Sequence, residues 1–126
     1  MILNCVIIDD EPLAAELLAS YAAKVPFLSL QGAYNSATEA IKTIREKKID
    51  LIFLDIQMPE LSGLEFARII GEDTRIVFTT AFSQYAIEGY KVNALDYLLK
   101  PTALKGFWRR QKRLWTILRN STNRGL

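Results

Sequence analysis

Cys5-Val6-Ile7-Ile8-Asp9-Asp10-Glu11-Pro12-Leu13 is the stretch on which the fold turns. Its apolar run is short, continuous and stopped by three acids, as a strand buried on both faces of a parallel sheet reads. Pro12 then suits the first turn of a helix, where a missing N–H costs nothing. Leu13, Leu17, Leu18 and Tyr21 recur at helical spacing as the chain runs on to Val25, which makes them the expected buried face. The stretch is one βα unit with acids at the carboxyl end of its strand.

Working outward, the same alternation repeats. Leu51–Leu54, Ile76–Phe78 and Tyr97–Leu99 are further apolar runs, and Phe27–Tyr34 is a weaker one. Between them, Ser36 followed by Glu39 forms a capping-box pattern that opens a helix with Ala40, Ile41 and Ile44 on one side. Leu64–Ile70, closed by Gly71, and Tyr85–Tyr90 read as shorter helices. A last helix is predicted from Thr102, with Leu104, Phe107, Trp108, Leu114, Trp115 and Leu118 on one stripe. Five βα units predict a doubly wound α/β domain, a five-stranded parallel sheet with helices on both faces.

The chain has 126 residues, the size of one domain, with 50% hydrophobic and 24% charged residues, as in a soluble globular protein. Its net charge of +2 is unevenly divided: residues 1–100 carry 9 Lys/Arg against 14 Asp/Glu, residues 101–126 carry 7 Lys/Arg and no acid. No apolar run approaches the roughly 20 residues that cross a bilayer. Met1–Ile8 lacks the basic start of a signal peptide, so a cytoplasmic protein with no membrane partner is expected. The single cysteine, Cys5, cannot form an internal disulfide, and its apolar neighbours predict a buried thiol. Histidine is absent, which removes histidine bases and histidine metal sites and leaves chemistry to carboxylates, hydroxyls, lysine and the backbone.

In a doubly wound sheet the working edge is the carboxyl end of the strands, near the point where strand order reverses. Asp9 and Asp10 follow the first strand, Asp55 the third, Thr79 and Thr80 the fourth, and Lys100 the fifth. Three carboxylates brought together repel, and a divalent cation relieves them; hard oxygen ligands with room for water suit Mg²⁺. A metal-bound carboxylate beside an ammonium and a hydroxyl is an arrangement for phosphoryl transfer, with a carboxylate oxygen as nucleophile. No Gly-rich phosphate loop is present, which argues against nucleotide binding.

Ile7-Ile8-Asp9-Asp10-Glu11-Pro12, Leu54-Asp55-Ile56-Gln57-Met58-Pro59-Glu60-Leu61-Ser62-Gly63-Leu64, Thr80-Ala81 and Tyr97-Leu98-Leu99-Lys100-Pro101 together resemble the receiver domain of bacterial two-component response regulators. The resemblance implies a flavodoxin-like sheet of order 2-1-3-4-5 over residues 1–119, with 120–126 a frayed tail or the start of a linker. It implies a phosphoacceptor switch rather than an enzyme. Asp55 would accept the phosphoryl group from a phosphohistidine on a partner sensor histidine kinase. Asp10, Asp55 and the backbone carbonyl of Gln57 would ligate Mg²⁺, with Asp9 acting mainly through water. Thr80 and Lys100 would hold phosphoryl oxygens, Thr79 being the structural member of its pair, and Lys100-Pro101 matches a cis-peptide position of the family. Tyr97 matches the family's aromatic switch, against the plainer reading of a half-buried strand tyrosine. Gln57 and Phe82 match positions that tune phosphate lifetime; Phe82 offers bulk and nothing to orient water, so slow self-dephosphorylation is expected.

The stretch from Tyr85 to Pro101, with Asp-Glu-Pro-Leu-Ala at 10–14 and Leu-Asp-Ile-Gln-Met-Pro at 54–59, resembles receivers of LytTR-type transcriptional regulators, whose DNA-binding output domain lies outside this chain. A stand-alone receiver and a scaffold that takes no phosphate are the alternatives, the latter disfavoured by the intact acid set. A haloacid-dehalogenase-type phosphatase is more remote, since Gln57 stands where its second aspartate is usual. Lys105, Arg109, Lys112 and Arg113 mark a basic side of the last helix. That side reads as a solvated face or as part of a phosphorylation-promoted homodimer surface of fourth helix, fifth strand and fifth helix, where Glu88, Lys91 and Asp96 could meet it. Direct DNA binding by this chain is disfavoured by its acidic body.

Overall fold

Five strands form one parallel sheet in the order β2-β1-β3-β4-β5 in the computed structural model of the chain: β1 (Leu3–Ile8), β2 (Leu28–Tyr34), β3 (Leu51–Asp55), β4 (Arg75–Thr80) and β5 (Asp96–Leu99). The structure describes residues 2–56, 58, 63–70, 73–80, 96–99, 107–113 and 115–116, with the backbone alone at 63, 64, 67, 80 and 96–99. Its helices are α1 (Pro12–Ala23), α2 (Ala37–Glu46) and α3 (Gly63–Ile70), followed by helical residues 107–113 and 115–116. The expected helix at Tyr85–Tyr90, the start of the last helix at Thr102 and the tail 120–126 lie outside the described residues.

The register shows why the strands are apolar throughout. Ile7 pairs with Ala33 on one side and Phe53 on the other, and Phe53 pairs with Val77, so the central strands have neighbours at both edges. Successive side chains alternate between the faces of the sheet. Cys5, Ile7, Leu51, Phe53 and Val77 pack with Ala15, Leu18 and Ala22 of α1 and with Phe107, while Val6, Ile8, Ile52, Leu54, Ile76 and Phe78 pack with Ala37 and Ala40 of α2 and Phe66 of α3. The result is three layers with two cores. Phe53, Phe66, Phe78 and Phe107 are fully buried, and burial of each such side chain stabilises by roughly 1.5–3 kcal/mol.

Three expectations are corrected. On α1 the residues against the sheet are Ala15, Leu18 and Ala22, while Leu13 and Leu17 are exposed at 80% and 39%. This helix is apolar almost all round, so spacing alone does not single out the inner face, and small alanines are what allow it to lie close to the strands. On the last helix, Phe107 and Gln111 are buried and Trp115 half-buried, whereas Trp108 leans outward beside Phe27, their rings 5.9 Å apart. Thr79 and Thr80 do not follow β4 but form its last two residues.

At the start of α2 the Ser36 hydroxyl accepts from the Glu39 amide (3.3 Å), as the sequence predicts, while the Glu39 carboxylate accepts from the amide of Asn35, one residue before the cap (3.4 Å). In β2 the register against β1 skips Gln31: Cys5 pairs with Leu30 and Val6 with Gly32. Beyond this bulge the Tyr34 ring folds back over Gly32, and its hydroxyl is hydrogen-bonded to that of Thr43 in α2. A Cβ on Gly32 would stand 2.6 Å from the Tyr34 hydroxyl oxygen, so any larger residue there would have to push the ring aside.

Candidate metal centre

β1 lies between β2 and β3, and chain connections leave it in opposite directions, which makes the crevice at the ends of β1 and β3 the switch point of the sheet. Asp9 is the first residue beyond β1 and Asp55 the last of β3; the register pairs Ile8 with Leu54 just below them. Both acids are buried, at 0% and 3% exposure. Asp10 is half-buried and Glu11 exposed at the rim.

Asp9 is held by its backbone and its side chain. Its amide donates to the Tyr34 carbonyl (3.0 Å), its carbonyl accepts from the Asn35 side-chain amide (3.0 Å), and its Oδ1 accepts from the Glu11 amide (3.0 Å). The last bond closes a tight turn that carries Asp10 and Glu11 back toward Asp55. Glu11 occupies the N-cap position of α1, yet its side chain makes no capping bond. Its carboxylate instead joins the others: one oxygen from each of Asp9, Asp10, Glu11 and Asp55 lies within 4.8 Å of the rest.

Charges packed this closely are costly. At the 4.8 Å limit, two carboxylates such as Asp9 and Asp55 repel by on the order of 3 kcal/mol at the effective dielectric of a protein site. The positive end of the α1 dipole, at Pro12, offsets part of that. A hard divalent cation offsets more, and the donor set fits Mg²⁺: carboxylate oxygens alone, two buried and two nearer solvent, leaving room for water ligands. These acids would hold such an ion at the mouth of the crevice, where it would supply positive charge to a phosphoryl group being transferred.

The structure thus brings together Asp9, Asp10 and Asp55 and adds Glu11, to which the sequence reading gives no part in the site. The signal was available in its place beside two acids and before a proline. Thr79 pairs in register with Asp55, and the Ile56 amide donates to its carbonyl (3.2 Å); its buried hydroxyl has no hydrogen-bond partner among the described residues. Thr80 ends β4 opposite Leu99 of β5. Gln57, Phe82, Lys100 with the Lys100-Pro101 peptide, and the side chains of Thr80 and Tyr97, lie outside the described residues. Arg109, Lys112 and Arg113 are exposed, as expected of a basic helix face.

A flavodoxin-like parallel sheet with an acid cluster at its switch point is the architecture of a signalling receiver. The family model for the response regulator receiver domain matches residues 5–109, and the chain belongs to that family. A response regulatory protein of Shewanella oneidensis is 43% identical over 101 residues, covering 79% of this chain and 43% of that protein. The transcriptional regulatory protein BtsR of Escherichia coli K12 is 42% identical over 101 residues, covering 79% of this chain and 42% of BtsR. The chain therefore spans less than half the length of the curated relatives it matches. Among solved structures, the response regulatory domain of mrkE from Klebsiella pneumoniae superposes with a TM-score of 0.84 at 29% identity, covering 94% of this chain and 99% of that one. Among the described residues no helix is long and apolar enough to cross a membrane.

Proposed function

We propose that this receiver accepts a phosphoryl group on Asp55 and passes on a change of conformation. The observation that carries the reading is the convergence of four carboxylates within 4.8 Å at the carboxyl end of β1 and β3, with Asp9 and Asp55 buried. A carboxylate oxygen of Asp55 attacks phosphorus, the bond from phosphorus to the donor imidazole breaks, and an acyl phosphate forms. Asp10, Asp55 and the backbone carbonyl of Gln57 would hold Mg²⁺, with Asp9 acting through water, and the bound cation would supply positive charge to the transferring group. Thr80 and Lys100 take the remaining phosphoryl oxygens, and Tyr97 follows Thr80 inward, biasing two pre-existing states. Gln57 and Phe82 tune the lifetime of the acyl phosphate in this reading, Phe82 offering bulk and no group to orient water.

The donor is a sensor histidine kinase, and the domain occupies residues 1–119 of a longer, cytoplasmic regulator. The likeness to BtsR, a transcriptional regulatory protein, supports an output in transcription, and the resemblance of residues 85–101 to LytTR-type receivers supports a DNA-binding output domain of that type outside this chain. The exposed cations Arg109, Lys112 and Arg113 support a homodimer face formed by the fourth helix, β5 and the last helix once Asp55 is phosphorylated. Incubation with acetyl phosphate distinguishes a switch from a phosphatase. The account expects uptake of one phosphate per chain, dependent on Mg²⁺; release of many equivalents of inorganic phosphate with no lasting adduct would favour hydrolytic chemistry instead.

A further inference from the structure

We infer that Asn35 is a positioning residue for the cation site: its side-chain amide holds the backbone of Asp9 and so fixes the turn that aims the acids at Asp55. The inference rests on reading the acid cluster as a cation site.

The argument starts where the β1–β2 ladder ends. Ile8 pairs with Tyr34, and the next ladder bond runs from the Asp9 amide to the Tyr34 carbonyl. Past that point the chain must leave the sheet to reach Pro12, and β2 must turn into α2, so no strand backbone remains to meet the Asp9 carbonyl. The Asn35 side chain takes that place at 3.0 Å, across 26 residues of sequence. Both peptide groups of Asp9 are thereby tied to the end of β2. The donor itself stands on firm ground, because the Asn35 amide is bonded to the Glu39 carboxylate and Ser36 caps the first turn of α2.

Mutual repulsion of Asp9, Asp10, Glu11 and Asp55 drives this turn apart when no cation is present. A tether that adds no charge of its own resists that spreading without competing for the cation. Asn35 meets this need, since it is neutral, bonds the backbone rather than a carboxylate, and is exposed, with no part in either core. Its loss should therefore act on cation affinity more than on the fold. Partners that orient first ligands are commonly worth about tenfold or more in metal affinity.

Calorimetric titration of the 126-residue chain with Mg²⁺, alongside thermal unfolding in chelator, tests this. Asn35→Ala should weaken Mg²⁺ about tenfold while the metal-free unfolding temperature stays close to that of the parent. Asn35→Asp keeps the shape but replaces the donor by a charge: if charge near the cluster were all that mattered it would tighten Mg²⁺, whereas a positioning role predicts weaker binding than the parent. Should Asn35→Ala not fold, Asn35→Asp carries the same reading. Parent-like Mg²⁺ affinity in Asn35→Ala, or tighter binding in Asn35→Asp, overturns the role of Asn35 alone. A parent chain that takes up no Mg²⁺ overturns the cation site and the inference with it.

Discussion

Asp9 and Asp55 have been taken out of water beside Asp10 and Glu11, and that arrangement has a cost the metal-free chain must bear. Asp10→Asn removes one charge from the cluster without removing core atoms. It should raise the unfolding temperature in chelator and abolish most of the rise that Mg²⁺ gives the parent chain; a lower metal-free stability would contradict the repulsion argued here. Saturating the parent a hundredfold above its dissociation constant should stabilise it by about 2.7 kcal/mol. Cys5 behaves as its apolar surroundings foretell: it is fully buried, and burial pushes its thiol from 9.0 up to about 12. Folding favours the protonated thiol, so this contribution to stability is intact below about pH 9 and is lost as pH rises through 12. At pH 8 a thiol reagent should label Cys5 only as fast as the chain opens, and rapid labelling of folded protein would refute the burial. Three of the four clustered acids were legible in the sequence, because Asp9 and Asp55 each end an apolar run and Asp10 stands next to Asp9. Asn35 was not, since nothing local in Tyr34-Asn35-Ser36 announces a bond to a backbone 26 residues away.

The elements read from sequence in proportion to how sharply polarity changes along them. β1 and β3 stand out because both faces are buried and both stop at acids, and α2 stands out because Ser36 and Glu39 mark its start. α1 misled because nearly every position is apolar, leaving no polar face against which to find the buried one. The last helix misled in the opposite way: Gln111, a polar residue, is fully buried on the inner side, and neither end of its amide has a partner among the described residues. An unpartnered buried polar group costs about 1–3 kcal/mol. Gln111→Leu, close in volume and apolar, should therefore raise stability by about 1 kcal/mol or more in denaturant unfolding, and a loss of stability would show that the amide is satisfied. In β2, Gly32→Ala forces the Tyr34 ring aside and breaks its bond to Thr43. The expected loss is about 1–2 kcal/mol, and it should shrink in a Tyr34→Ala background, where the clash is already gone. Equal losses in both backgrounds would mean that the ring does not set the requirement for glycine.

At the scale of the whole molecule, the modest charge of +2 conceals a division of labour. The acidic body gathers four carboxylates at the switch point of the sheet, while Arg109, Lys112 and Arg113 face solvent on the last helix. The order β2-β1-β3-β4-β5 places the ends of β1 and β3 side by side, so acids separated by about 45 residues of chain become neighbours only when the sheet forms. That is why the family could be read from four short segments, whereas the geometry that makes them one site could not. The central claim is that this geometry serves transfer of a phosphoryl group to Asp55. The most direct test is intact mass after exposure to acetyl phosphate, with and without Mg²⁺, for the parent chain and Asp55→Asn. The account predicts a single phosphate adduct on the parent only with Mg²⁺ and none on Asp55→Asn; an equal adduct on Asp55→Asn would contradict it.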